Sequence, residues 1–196
     1  MEAARLLYTG ASEEYKHAKE QAASSLGVKA TPSNHEVAVE LDLLADMTEG
    51  DERRRLLVSM RGSAMKLMQA LTEYSPLLMG SVWRGTARKG SDVDITVYAD
   101  QPEDVESTLD RSGYKVGESE EVTVTKGGRP VRSRHIRVRL GEGIDGEVVV
   151  RTLEERDEVE SCEIYGDPKR GLALPELEKL MKTDPLRKFV PRRRYK

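Results

Sequence analysis

The segment Gly80-Ser81-Val82-Trp83-Arg84-Gly85-Thr86-Ala87-Arg88-Lys89-Gly90-Ser91-Asp92-Val93-Asp94 leaves this chain few folds to choose from. It follows Ser75-Pro76-Leu77-Leu78-Met79, a short apolar run opened by proline, and runs into Asp92-Val93-Asp94-Ile95-Thr96-Val97-Tyr98, which alternates in type with period two. The pattern predicts strand, turn, short helix, strand. On the second strand Asp92 and Asp94 point to one face and Val93, Ile95 and Val97 to the other. A rise of ~3.3 Å per residue holds the two carboxylates about 7 Å apart.

Two like carboxylates side by side repel, and a cation between them relieves the repulsion. Magnesium suits such a pair because it takes hard oxygen ligands and is usually held by one or two carboxylates together with substrate phosphates. The turn supplies what the phosphates need. Gly80 lets a ligand approach the backbone closely, Ser81 offers a hydroxyl and an amide, and the helix after it presents unpaired N–H groups to an anion. Residue chemistry alone therefore points to metal-assisted phosphoryl transfer.

Gly80-Ser81, then Asp92-Val93-Asp94 with apolar Ile95 behind it, and Arg84-Gly85 and Ser91 in place, resembles the signature of the DNA polymerase beta-like nucleotidyltransferase superfamily. The resemblance is greatest to archaeal and minimal stand-alone members; it is strong over residues 77 to 98 and looser to about residue 151. It implies an α+β nucleotidyltransferase fold, a mixed or antiparallel sheet flanked by helices, preceded here by an N-terminal helical segment. It also implies two Mg2+ ions, with Mn2+ as a substitute, held by Asp92, Asp94 and a third carboxylate on a neighbouring strand. Gly80, Ser81, Arg84 and Ser91 would contact the nucleotide. The implied reaction moves a nucleoside monophosphate from a nucleoside triphosphate, ATP being expected, to an RNA or protein acceptor with release of pyrophosphate. An antitoxin-like transfer of AMP onto a protein partner and a non-catalytic RNA-binding module are the alternatives. Intact carboxylates speak against the latter.

The third carboxylate has two candidates. Ile136, Val138 and Leu140 alternate with His135, Arg137 and Arg139, an amphipathic strand; Gly141 to Gly146 turns the chain, and Glu147-Val148-Val149-Val150-Arg151 returns beside it. If the returning strand begins at Ile144, Asp145 and Glu147 share a face; if Gly146 ends the turn, only Glu147 lies on the strand. The three valines after Glu147 favour Glu147, with Asp145 as a turn residue. Glycine at 146 is a departure, since relatives carry an apolar residue before the acid. His135 reads as a residue of the strand's polar face.

Ahead of the motif the chain is helical. Glu2 to Leu26 ends at Gly27, with Gly10 a candidate break; a second helix starts at Thr31-Pro32-Ser33-Asn34 and ends near Gly50; a third runs from Asp51 to Tyr74. Met60, Met65 and Met68 read as gap-filling core residues. Three segments are expected: 1–74 helical, 75–160 the catalytic core, and 161–196 a helix with a basic tail. The Lys126-Gly127-Gly128-Arg129 tip and the Arg192-Arg193-Arg194 cluster are candidate phosphate or RNA contacts, the tail favouring RNA over protein as acceptor. With 32 basic and 35 acidic residues the net charge is only -3. A single cysteine, Cys162, excludes an internal disulfide, and the three histidines are too scattered for a zinc cluster. No apolar run approaches the ~20 residues that span a bilayer, so a cytoplasmic enzyme with no membrane partner is expected.

Overall fold

The structure is a computed structural model that describes residues 1–126, 129–141 and 143–192. The tip glycines Gly127 and Gly128 and the end of the basic tail, Arg193 to Lys196, lie outside the described residues. Two compact units are present. One comprises residues 1–54, 161–168 and 190–196, the other 55–160 and 169–189.

The first unit is helical. Helix α1 (Glu2–Tyr8) and helix α2 (Tyr15–Leu26) are separated by a turn at Gly10, whose φ of 72° lies in the left-handed region, so the sequence's candidate break is a real one. Helix α3 (Asn34–Ala70) begins in this unit and is interrupted at Gly50, at φ 53° and ψ −126°. Ala3, Ala4, Leu6, Leu7, Ala18, Ala22 and Val37 form its small core. Just after the Gly50 break, the buried Arg53 donates to the Asp42 carbonyl at 3.0 Å and to the Asp42 and Asp46 carboxylates. Two carboxylates and a carbonyl offset the cost of burying that cation.

The second unit holds a six-stranded sheet in the order β3-β4-β5-β2-β1-β6. In chain order its elements are strand β1 (Leu77–Leu78), helix α4 (Gly80–Arg84), strand β2 (Val93–Tyr98), helix α5 (Pro102–Arg111), strands β3 (Lys115–Lys126), β4 (Arg129–Gly141), β5 (Ile144–Arg151) and β6 (Leu172–Ala173), and helix α6 (Leu174–Thr183). Only β2 and β5 run parallel; all other pairs are antiparallel. The fold is thus α+β with a mixed sheet and flanking helices, as the resemblance implies, and it contains the strand, turn, helix, strand unit that the pattern predicts.

Period-two alternation gives this sheet two unlike faces. Val93, Ile95 and Val97 of β2, Val148 and Val150 of β5, and Ile136 and Val138 of β4 are all buried. They pack with Met60, Leu67, Met68 and Leu71 of α3, Val105 and Leu109 of α5, and Leu177 and Leu180 of α6. Burying a single such side chain stabilises the fold by roughly 1.5–3 kcal/mol, which locks the strand register. The opposite face is left to polar residues. There Asp94 of β2 pairs in register with Glu147 of β5, and Glu147 with Arg137 of β4.

A buried arginine ties this unit together. Arg61 of α3 has no solvent exposure and spreads its guanidinium over four carbonyls: Val82 at 3.1 Å, Trp83 at 3.0 Å, Pro185 at 2.7 Å and Arg187 at 3.0 Å. Burial pulls its pKa down to about 10, opposed by the Asp184 charge, so it stays cationic at neutral pH. Arg84, also buried, donates to the Phe189 carbonyl at 2.9 Å and stacks over Trp83. The Phe189 amide donates back to the Arg84 carbonyl at 2.8 Å. Residues 185–189 and α4 are therefore laced to one another. Replacing Arg61 with Met should destabilise the protein by about 3 kcal/mol or more in urea unfolding, because several carbonyls lose a charged donor at once. Arg61→Lys should recover little, since an ammonium cannot reproduce the fork.

Candidate active site

The glycine-serine turn and the carboxylate strand meet through the backbone. The Met79 amide donates to the Asp94 carbonyl at 2.8 Å, which brings the start of α4 beside Asp94. Gly80 has φ 62°, and a Cβ there would overlap the Asp94 Oδ2 atom, so the Asp94 carboxylate lies against the bare Cα of Gly80. Two separate demands, a left-handed backbone and a close approach, thus require glycine at 80. The first turn of α4, which includes Ser81, carries no side-chain cap hydrogen bond from its N-cap residue Met79. Gly171 performs a related service from another part of the chain. A Cβ on it would come 2.8 Å from the Leu78 carbonyl, and it allows β6 to pair with β1 immediately before the turn.

The carboxylates are arranged as follows. Asp94 is on β2, but Asp92 is one residue ahead of the strand and exposed, so the expected two-residue spacing on one rigid strand is corrected to one strand residue and one loop residue. Ser91 shapes that loop: its Oγ accepts the Arg88 amide at 3.0 Å, and its own amide donates to the Arg88 carbonyl at 2.9 Å. Strand β5 begins at Ile144, so Asp145 and Glu147 do share a face. The expectation that Gly146 ends the turn is corrected accordingly. Glu147 sits in register with Asp94, while exposed Asp145 is drawn to Arg139 at 3.4 Å. Gly146 now has a reason to be glycine. A Cβ on it would stand 3.0 Å from Leu140 Cδ1 and 3.1 Å from the Val93 carbonyl.

Arg84 needs a further correction. Only 5 % exposed and committed to the Phe189 carbonyl and the Trp83 ring, it holds α4 in place instead of offering its charge to a ligand. Cations on the polar face come from elsewhere. A cleft of about 280 Å³ is lined by Asp92, Glu118, Arg137, Arg139, Asp145 and Glu147, among others. Glu118 and Gly117 reach this cleft through an irregularity in β3, where the pairing with β4 shifts between Val116 and Ser119. A bulge of this kind has no local sequence signal, and neither Glu118 nor Arg137 was foreseen as part of the site.

The electrostatics mark Asp94. Its carboxyl is pushed up to about 7, first by burial and then by the charges of Asp92 and Glu147. Among the described residues no three acidic, histidine or cysteine side chains close upon one metal position. The donor chemistry still fits a hard divalent cation: like-charged oxygens about a partly buried carboxylate, next to a backbone cradle that a Cβ would fill. Such a cation takes one or two carboxylates and draws its other ligands from phosphate and water.

Residues 69–159 match the model of the nucleotidyltransferase domain family, and the span contains α4, β2 and β5 with Asp92, Asp94 and Glu147. Over those residues the chain is similar to a nucleotidyltransferase domain. Solved structures similar to it include terminal uridylyl transferase 4 from Trypanosoma brucei with bound CTP, at 20% identity, TM-score 0.34, covering 62% of this chain and 41% of that one. Others are a cytoplasmic RNA terminal U-transferase (15% identity, TM-score 0.32, 60% of this chain and 34% of that one) and the Cid1 poly(U) polymerase (14%, 0.34, 59% and 36%). The chain thus spans between about a third and two fifths of the length of those proteins. No curated protein matches it. No helix among the described residues is long and apolar enough to cross a membrane.

Two outcomes follow from the crowding at Asp94. In the folded protein its ordinary value of 3.8 rises to about 7, so across that window the folded state binds more proton than the unfolded state, and stability falls as pH rises. Asp94→Asn removes the penalty: in urea unfolding the variant should exceed wild type by a few kcal/mol near about pH 8, at ~1.4 kcal/mol per pKa unit, with the gap closing below about pH 4. Gly80→Ala should lower nucleotide transfer by about 10²-fold or more, since the new methyl must displace the Asp94 carboxylate, and circular dichroism should still report the native fold.

Proposed function

We propose that the chain is a divalent-metal-dependent nucleotidyltransferase that moves a nucleoside monophosphate, AMP from ATP in the first instance, to a macromolecular acceptor and releases pyrophosphate. The observation that carries this reading is the row of acids: Asp94 against the Cα of Gly80, in register with Glu147, and close enough to Asp92 and Glu147 for their charges to raise its pKa. Like charge gathered this way costs stability, a cost common where function demands it.

In this reading Ser81 and the first amides of α4 bind the β- and γ-phosphates, which places the α-phosphate towards Asp94. Asp92, Asp94 and Glu147 would hold the divalent cations, which supply positive charge to the triphosphate and acidify the acceptor hydroxyl. Glu147, whose Oε1 stands 3.3 Å from His135 Nδ1, would receive the hydroxyl proton as that oxygen attacks the α-phosphate in line. The bond to the bridging oxygen breaks, and pyrophosphate leaves. Arg137, directly across from Glu147 and exposed, offsets negative charge on the incoming strand or triphosphate.

The test is purified protein with each labelled triphosphate and Mg2+, supplied with total RNA or with cell extract. Label should enter a macromolecule, most from ATP, and nuclease or protease digestion of the product identifies an RNA or a protein acceptor. Asp92→Ala and Asp94→Ala should abolish labelling with the fold retained, because transition-state charge loses its counter-ion. Glu147→Gln should lower turnover by about 10²-fold or more with triphosphate affinity nearly kept, whereas Asp145→Asn should change little. Labelling at wild-type rate by the Asp94 variant would sink the assignment.

A further inference from the structure

His135 of β4 joins the site from a strand that supplies none of the acids. Its backbone lies opposite Val149 of β5, and its side chain reaches diagonally to Glu147, where Nδ1 stands 3.3 Å from Oε1. The other ring nitrogen, Nε2, is 3.1 Å from Ser133 Oγ. Diagonal neighbours on one sheet face are within reach of a long side chain, so the contact is a consequence of register. Both His135 and Glu147 are about a quarter exposed, at 24% and 27%. With Arg137 directly opposite Glu147, the histidine contact is not the one that simple cross-strand pairing would give.

We infer that His135 is a positioning residue for Glu147: its Nδ1–H donates to the Glu147 carboxylate, Nε2 accepts from the Ser133 hydroxyl, and the ring thereby fixes the carboxylate rotamer beside Asp94. The inference rests on the reading of Glu147 as an acid of the nucleotidyl-transfer site. The ring has a tautomer that satisfies both neighbours together: the carboxylate, which can only accept, calls for the proton on Nδ1, and the hydroxyl, which can donate, serves Nε2. A glutamate on a strand has three rotatable bonds, and an unrestrained one would spend much of its time away from a cation or a hydroxyl. A hydrogen bond to the rear of a ligating carboxylate removes that freedom, and loss of such outer partners typically costs about 10–100-fold in metal affinity or activity. Arg137 and Arg139, two cations of this face, are exposed and lie directly opposite Glu147 and Asp145. They set the local potential, whereas His135 sets a direction.

The experiment measures Mn2+ binding to the full chain by electron paramagnetic resonance, with a non-hydrolysable triphosphate analogue present, alongside melting temperature. His135→Phe should weaken Mn2+ binding by about 10-fold with melting temperature within a few degrees of wild type, and His135→Asn, which sets an amide nitrogen near the Nδ1 position, should restore most of it. Because the effect runs through Glu147, His135→Phe should add little in a Glu147→Gln background, a non-additivity that a merely structural histidine would not produce. If His135→Phe folds poorly, Ser133→Ala carries the same test by releasing the ring, with weaker Mn2+ binding expected. Normal Mn2+ binding by His135→Phe or Ser133→Ala, while Glu147→Gln binds weakly, would overturn the positioning role and leave Glu147 in the site. Normal binding by Glu147→Gln would instead remove Glu147 from the site and this inference with it.

Discussion

The contact between the Asp94 carboxylate and the bare Cα of Gly80 is the constraint on which the site depends. It requires glycine with positive φ, it brings the uncapped start of α4 beside a carboxylate, and it partly removes that carboxylate from water. Asp92 and Glu147 then raise the cost of ionising it. An arrangement that gathers negative charge in a half-buried place destabilises the empty protein and becomes favourable once positive charge arrives. The chemistry and the strain have the same origin.

What withstands that strain lies behind the sheet. Val93, Ile95 and Val97 are fully buried under α3, so β2 cannot rotate or slip to relieve its acids without exposing its core face. On the other flank, Arg61 and Arg84 lace α4 to residues 185–189 through carbonyl oxygens. A cation surrounded by carbonyls adds no negative charge to the neighbourhood of the acids, as a salt bridge there would. The hydrogen-bond requirement of one buried guanidinium thus fixes two chain segments far apart in sequence, and one of them is the motif helix.

Much of this was legible from residue order. The strand, turn, helix, strand reading, the apolar and acidic faces of β2, the breaks at Gly10 and Gly50, and helix α6 all rest on local periodicity and glycine chemistry, and they recur in the structure. Arg84 went astray because an arginine after a glycine-serine turn looks the same in sequence whether it faces phosphate or the Phe189 carbonyl. Arg61 gave no signal at all, since its partners are backbone carbonyls, which every residue has. Glu118 entered the cleft through a pairing irregularity, which is a relation between strands and not a property of either.

Sequence alone determined the facing of Asp94, opposite to Val93 and Ile95, because side-chain alternation is a property of a single strand; Asp92, one residue ahead of the strand, lies outside that rule. The tertiary structure decided which acid on β5 stands beside Asp94. Asp145 and Glu147 share a face and differ by one pleat, and only the parallel register of β2 with β5 places Glu147 level with Asp94 and leaves Asp145 to Arg139. Register is set by the burial of Ile95 with Val148 and by the lack of room for a side chain at Gly146, between Leu140 and Val93. The contacts of Ile95 with Val148 and of Gly146 with Val93 join residues some fifty positions apart, where local propensity carries no information and only packing selects one alignment over its neighbours.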